Sequence, residues 1–188
     1  LGDIASHVID IAQYLAGDIE AVTGIMQTYI TERPVQEGGT DLLGTVKLGA
    51  DAKRKAVDVD DEDSFLVKFK NGAVATIEGT TNVYPKNLEE TLYVFGEKGT
   101  VKIGGTSTNN IDVWDFEDET DADQENKGLQ EATSNVYGNG HTSLFADVID
   151  AIEQDRAPYV DAYAGRNALE MILAIYKSQK TGVPVKLP

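Results

Sequence analysis

Residues 65–80 read FLVKFKNGAVATIEGT, and this stretch decides the fold. Phe65, Val67 and Phe69 alternate with Leu66, Lys68 and Lys70, the period-two pattern of a strand with one buried face. Asn71-Gly72 follows, a two-residue hairpin signal, and residues 74–80 return as the partner strand. Downstream, residues 88–95 and 100–103 flank Gly96-Glu97-Lys98-Gly99 as a second hairpin, and residues 110–116 read as a further strand. Upstream, residues 19–30 are rich in β-branched side chains and read as another strand, while residues 34–55 are Gly-rich and polar. That segment reads as a long loop with a short strand near 45–48. The ends are helical. Ile4, Val8, Ile11, Ala12 and Leu15 recur at three-to-four spacing, with Gly17 as C-cap. Thr142 or Ser143 can cap a helix with Phe145, Val148, Ile149 and Ile152 on its inner face. Residues 163–181 place Leu169, Ile172, Leu173 and Tyr176 on one side of a last helix, which Gly182 ends and Pro184 blocks. Residues 183–187 can add an edge strand. This order predicts an α+β domain: an open-faced, mostly antiparallel sheet with helices on one face. The other face calls for cover from another copy or another domain.

The chain's 188 residues suit one domain, and a net charge of -16 repels nucleic acid and anionic membranes. No stretch approaches the ~18 consecutive apolar residues of a membrane helix. Cysteine is absent, which excludes disulfides and thiol chemistry within this chain and suits a cytoplasmic protein. The acidic run from Asp115 to Glu125 reads as a solvated loop, because it lacks the spaced ligands and turn glycine of a calcium loop. The chain starts at Leu1 inside a motif and reads as a fragment.

Asp3 and His7 are the best candidates for chemistry. Four residues apart, they share one helix face, about 5–6 Å apart at Cβ. A carboxylate beside an imidazole orients the ring, and a histidine so placed can take a proton from a hydroxyl as hydride leaves the same carbon. Asp10, three residues on, can join that face. Asn82, Tyr84, Lys86 and Asn87 form a polar cluster that offers donors and acceptors to sugar hydroxyls or a phosphate, and His141 sits before a helix start. A metal site from His7, His141 and Asp3 has nothing to bring its members together. Gly138-Asn-Gly140-His-Thr-Ser143 lacks the third glycine of a dinucleotide fingerprint and reads as a turn.

Residues 1–17, LGDIASHVIDIAQYLAG, resemble the start of the C-terminal domain in the glucose–fructose oxidoreductase/inositol dehydrogenase (Gfo/Idh/MocA) family. Residues 69–79, the turn Gly96-Glu97-Lys98-Gly99 and residues 165–176 look similar to its central hairpin, its Gly-x-Lys-Gly turn and its closing helix. The resemblance implies a fold like the C-terminal domains of dihydrodipicolinate reductase and glyceraldehyde-phosphate dehydrogenase. It implies His7 as general acid/base, Asp3 as its carboxylate partner, and Asp10 tied to structure or substrate. Tyr84 would contact a polyol. NAD or NADP would be bound mainly by an N-terminal Rossmann half, and a homo-oligomer would form through the sheet. The substrate would be a sugar, polyol or nucleotide sugar, and this chain alone would be inactive. The competing reading is a non-catalytic oligomerisation or carbohydrate-binding module.

Overall fold

The computed structural model describes residues 5–34, 53–83, 88–132 and 139–188. In chain order the elements are α1 (Ala5–Ala16), β1 (Ile19–Gln27), β2 (Glu32–Pro34), β3 (Arg54–Ala56), β4 (Glu62–Phe69), β5 (Val74–Thr80), β6 (Leu92–Phe95), β7 (Gly99–Gly104), β8 (Asn110–Phe116), α2 (Asp121–Asn126), α3 (His141–Glu153), α4 (Ala162–Thr181) and β9 (Val185–Lys186). They fall into two compact units.

The first unit is built on an antiparallel sheet in the order β5-β4-β1-β9. Its residues alternate as the sequence predicts. Phe65, Val67 and Phe69 on β4, Val22 and Met26 on β1, and Ile77 on β5 are buried on one face. There they meet Met171, Ile172 and Ile175 of α4 and Ala5, Ile9 and Ala12 of α1 in a single core. The opposite face carries Thr23, Ile25, Leu66, Thr76 and Val74 in register, with Ile25, Leu66 and Val74 exposed. Gly24 lets α4 approach: a Cβ there would stand 2.9 Å from Ile175 Cγ2 and 2.9 Å from Phe65 Cβ.

The hairpin loop differs from the two-residue form. Residues Lys70–Gly72 make a three-residue loop, closed by Gly72 N donating to Phe69 O at 3.0 Å, with Gly72 at φ +94. A glycine with positive φ at the third loop position is the usual device for that length. Asn71 serves the fold besides: its Nδ2 donates to Ala16 O at 2.9 Å, which satisfies a carbonyl at the end of α1.

β9 covers β1 only at Ala21 and Val22. Past it, side chains of α4 finish the edge. Ser178 Oγ accepts from Gly24 N at 3.4 Å, and the Gln179 amide accepts from Met26 N and donates to Met26 O at 3.2 and 3.1 Å. An open strand edge is thereby closed without a strand. A short antiparallel ribbon of β2 and β3 completes the unit, with Arg33 opposite Lys55.

The second unit holds the antiparallel sheet β6-β7-β8 with α2 and α3. Three expectations are corrected here and in α4. The acidic run is not all loop: α2 forms within it because the Asp123 carboxylate accepts from Thr120 N at 2.8 Å, across the helix start. The α3 N-cap is Gly140, so Thr142 and Ser143 lie in the first turn, and Phe145, Ile149 and Ile152 are exposed while Ala151 is buried. On α4 the buried stripe is Ala168, Met171, Ile172, Ile175 and Ser178, leaving Leu169, Leu173 and Tyr176 exposed. Periodicity reports that a helix has an apolar stripe, and packing chooses which margin of it faces the sheet. Gly182 ends α4 at φ +69, as read.

Candidate active site

α1 packs along α4, and both reach the core through their apolar stripes. Ile9 and Ala12 face inward, so Ser6, His7 and Asp10 turn away from the sheet. Across from them α4 offers Ala164, Gly165, Ala168, Leu169 and Ile172, with Val160 just before the helix. The small residues open a cleft of about 310 Å³ between the helices. That is the low end of the volumes that hold small molecules. His7 and Asp10 are exposed on its wall.

The structure therefore brings His7 and Asp10 together. Asp3, Tyr84 and Lys86 lie outside the described residues. Asn82 is in the same unit, at the end of β5, and does not line this cleft. His141 belongs to the second unit, at the first position of α3, with its ring centroid 6.5 Å from that of Phe145.

A polar hub that the sequence reading missed anchors Asn82. Asp61 is buried, and its carboxylate accepts from Tyr29 N and Ile30 N, both at 2.8 Å. Burial pushes this carboxyl up, but the two amides, with Asn82 and Arg33, outweigh it and hold it at about 2. Its backbone carbonyl accepts from Thr81 N at 3.0 Å and from Asn82 Nδ2 at 3.2 Å. Arg33 Nη2 donates to Asp61 Oδ2 at 3.5 Å, Thr81 Oγ1 at 2.9 Å and Asn82 Oδ1 at 3.1 Å. Next to the hub, Tyr176 Oη donates to Asp60 Oδ1 at 2.6 Å. Partial burial of the hydroxyl and that carboxylate raise the ionisation of Tyr176 well above the ordinary range. Tyr176 stands one turn beyond Ile172 of the cleft, about 6 Å along α4. Hydrogen bonds and chain connectivity thus link Tyr176 through Asp60 and Asp61 to Arg33 and Asn82. The available signal was two adjacent aspartates at the foot of an alternating strand.

Dinucleotide binding needs a glycine-rich turn from a strand into a helix. Among the described residues no such turn appears: α4 is capped by the Asp161 carboxylate, and no described strand leads directly into α3. No group of three or more His, Asp or Glu among them could hold a metal ion, and no helix among them is long and apolar enough to cross a membrane.

The open antiparallel sheet, its helix-covered face and a histidine on the helix cleft fit the C-terminal half of an oxidoreductase. Residues 1–187 match the family described as oxidoreductase family, C-terminal alpha/beta domain, and the chain belongs to the Gfo/Idh/MocA family. Among its relatives is the levoglucosan dehydrogenase of Pseudarthrobacter phenanthrenivorans (strain DSM 18606 / JCM 16027 / LMG 23796 / Sphe3). The two are 41% identical over 121 residues, covering 64% of this chain and 31% of that protein. A solved levoglucosan dehydrogenase in its apo form superposes with a TM-score of 0.74 at 27% identity, covering 99% of this chain and 50% of that one. The WlbA dehydrogenase from Bordetella pertussis, solved with NADH and UDP-GlcNAcA, gives 0.72 at 28% identity, covering 98% and 44%. The chain spans about a third of the length of the curated relative and about half of each solved chain.

Proposed function

We propose that this chain is the substrate side of an NAD(P)-dependent dehydrogenase acting on a hydroxyl of a sugar, polyol or nucleotide sugar. The observation that carries the reading is an exposed His7 beside Asp10 on the wall of a cleft sized for a small molecule. Support comes from relatives whose names give levoglucosan dehydrogenase activity, and from solved structures holding NADH with levoglucosan or UDP-GlcNAcA. A nicotinamide cofactor, held mainly by an N-terminal Rossmann half, would supply the hydride acceptor.

This chain's share is the proton. The His7 imidazole accepts it from the substrate hydroxyl as the C–H bond breaks, and returns it in the reverse direction. Asp3, four residues before His7 in sequence, orients the ring and favours the imidazolium that forms. Asp10 accepts a hydrogen bond from a neighbouring sugar hydroxyl. Asn82, Tyr84, Lys86 and His141 complete the substrate-binding set of this reading. The exposed face bearing Ile25, Leu66 and Val74 joins a second copy. The protein works in the cytoplasm.

His7→Ala, made in the protein that joins this chain to its Rossmann half, tests the reading with levoglucosan as substrate. Turnover should fall by about 10²–10⁴-fold. Turnover equal to the parent's would overturn it. This chain by itself should turn over no sugar, and measurable dehydrogenase activity from it would contradict that part.

A further inference from the structure

The two walls of the cleft differ in chemistry. α1 brings the Ser6 hydroxyl, the His7 imidazole and the Asp10 carboxylate. The α4 side brings only aliphatic side chains and the bare backbone of Gly165. Gly165 is the fourth residue of a 20-residue helix. Glycine is a poor helix former, because it loses the most backbone freedom on folding. Nothing within this unit asks for it at that position. Its backbone is helical, and a Cβ built on it would meet no atom of the described residues within 4 Å. Gly24 differs, since Ile175 and Phe65 crowd it, and so does Gly182, since its φ is +69. The room over Gly165 faces the cleft, and no side chain among the described residues fills it.

We infer that Gly165 is a specificity-determining position: a compact sugar or cyclic polyol lies with its C–H face on the α4 wall at Gly165 and its hydroxyl edge on α1, and the missing side chain sets how much room the ring has. This rests on the dehydrogenase reading and adds to it which face of the ring meets which helix. A sugar ring is itself two-sided, with hydroxyls around its edge and C–H groups on its faces. Aliphatic walls take up the C–H groups, and the few polar groups of such a cleft fix the orientation. With the ring so placed, a hydroxyl on its edge is presented to His7 and its neighbour to Asp10. Ala168 and Leu169, three and four residues after Gly165, share its helix face and extend the same apolar wall. A side chain at 165 would take the place of the ring and leave the packing of the unit untouched.

The test measures kcat, KM for levoglucosan and KM for the nicotinamide cofactor in the protein with its Rossmann half, and in its Gly165→Ala, Gly165→Val and Gly165→Leu variants. One methylene more or less in an apolar pocket changes kcat/KM by about 10–200-fold, so Gly165→Ala should lower kcat/KM for levoglucosan about tenfold, through KM. Gly165→Val and Gly165→Leu should lower it further in that order, with the cofactor KM unchanged throughout. Gly165→Ala should melt no lower than the parent, because alanine is the better helix former and its methyl meets open space. A loss of sugar affinity in a protein at least as stable separates a role in binding from a role in packing. A Gly165→Leu protein with the parent's KM for levoglucosan would overturn the inference and leave the dehydrogenase reading intact. Sugar and cofactor KM rising together would also overturn it, and would mark the wall as a seat for the Rossmann half. If the parent oxidises no sugar, the dehydrogenase reading fails. Saturation-transfer NMR with levoglucosan then decides the wall: transfer to its C–H protons that is lost in Gly165→Leu sustains it, and no transfer, or transfer kept in Gly165→Leu, removes it.

Discussion

Gly24→Ala tests how α4, which forms one wall of the cleft, is seated. The added methyl would stand 2.9 Å from both Ile175 Cγ2 and Phe65 Cβ, where real Cβ contacts do not occur. Neither neighbour has room to yield, since Ile175 is 0% and Phe65 2% exposed. Overfilling a packed core costs about 1–3 kcal/mol. Replacing glycine inside a strand returns about 0.5–1 kcal/mol of backbone entropy. At the middle of both ranges the net loss is about 1 kcal/mol, a fall of roughly 2–4 °C in Tm for a chain of this length. Urea unfolding followed by circular dichroism measures it as a lower midpoint at constant slope. Ile175→Leu removes the clashing Cγ2, so a double-mutant cycle should show a favourable coupling of about 0.5–1 kcal/mol. A Gly24→Ala protein as stable as the parent would refute the close approach of α4 to β1.

Two further outcomes follow from the same packing. Gln179→Ala strips Met26 of both edge bonds and should cost about 1–3 kcal/mol in urea unfolding; an unchanged midpoint would mean water serves that edge equally well. Asp63 points into the core from β4, and burial, with the Asp60 carboxylate nearby, pushes its carboxyl up to about 6. A carboxyl raised on folding holds its proton in the native state while the unfolded chain releases it, so stability falls as pH rises from about 4 to 6. Asp63→Asn should therefore gain about 1–2 kcal/mol on the parent at pH 7 and nothing at pH 3.5. An equal difference at both pH values would contradict this.

The sheet was legible because its information is local. Alternation on β4 and the Gly-rich turns fixed strands and hairpins, and the Gly182–Pro184 stop fixed the end of α4. The family was legible from four motifs in order. What escaped depends on partners distant in sequence. Asp61 gathers amides from Tyr29 and Ile30 and donors from Arg33 and residues 81–82, and no spacing within one segment announces that. The ribbon of β2 and β3 has three residues per strand, too few for a period to show. The apolar stripe of α3 was read correctly as a stripe, but its burial was assumed, and Phe145, Ile149 and Ile152 are exposed. For the site, the i, i+3 spacing of His7 and Asp10 was enough to put both on one wall. The opposite wall, the small residues Ala164, Gly165 and Ala168, carried no mark of its own.

A crystal structure of the protein with its Rossmann half, a nicotinamide cofactor and a bound sugar measures the central claim directly. The oxygen on the carbon that faces the nicotinamide should lie within about 2.6–3.2 Å of a His7 ring nitrogen. A sugar bound with that oxygen beyond reach of His7, and held instead by another acid–base group, would contradict it.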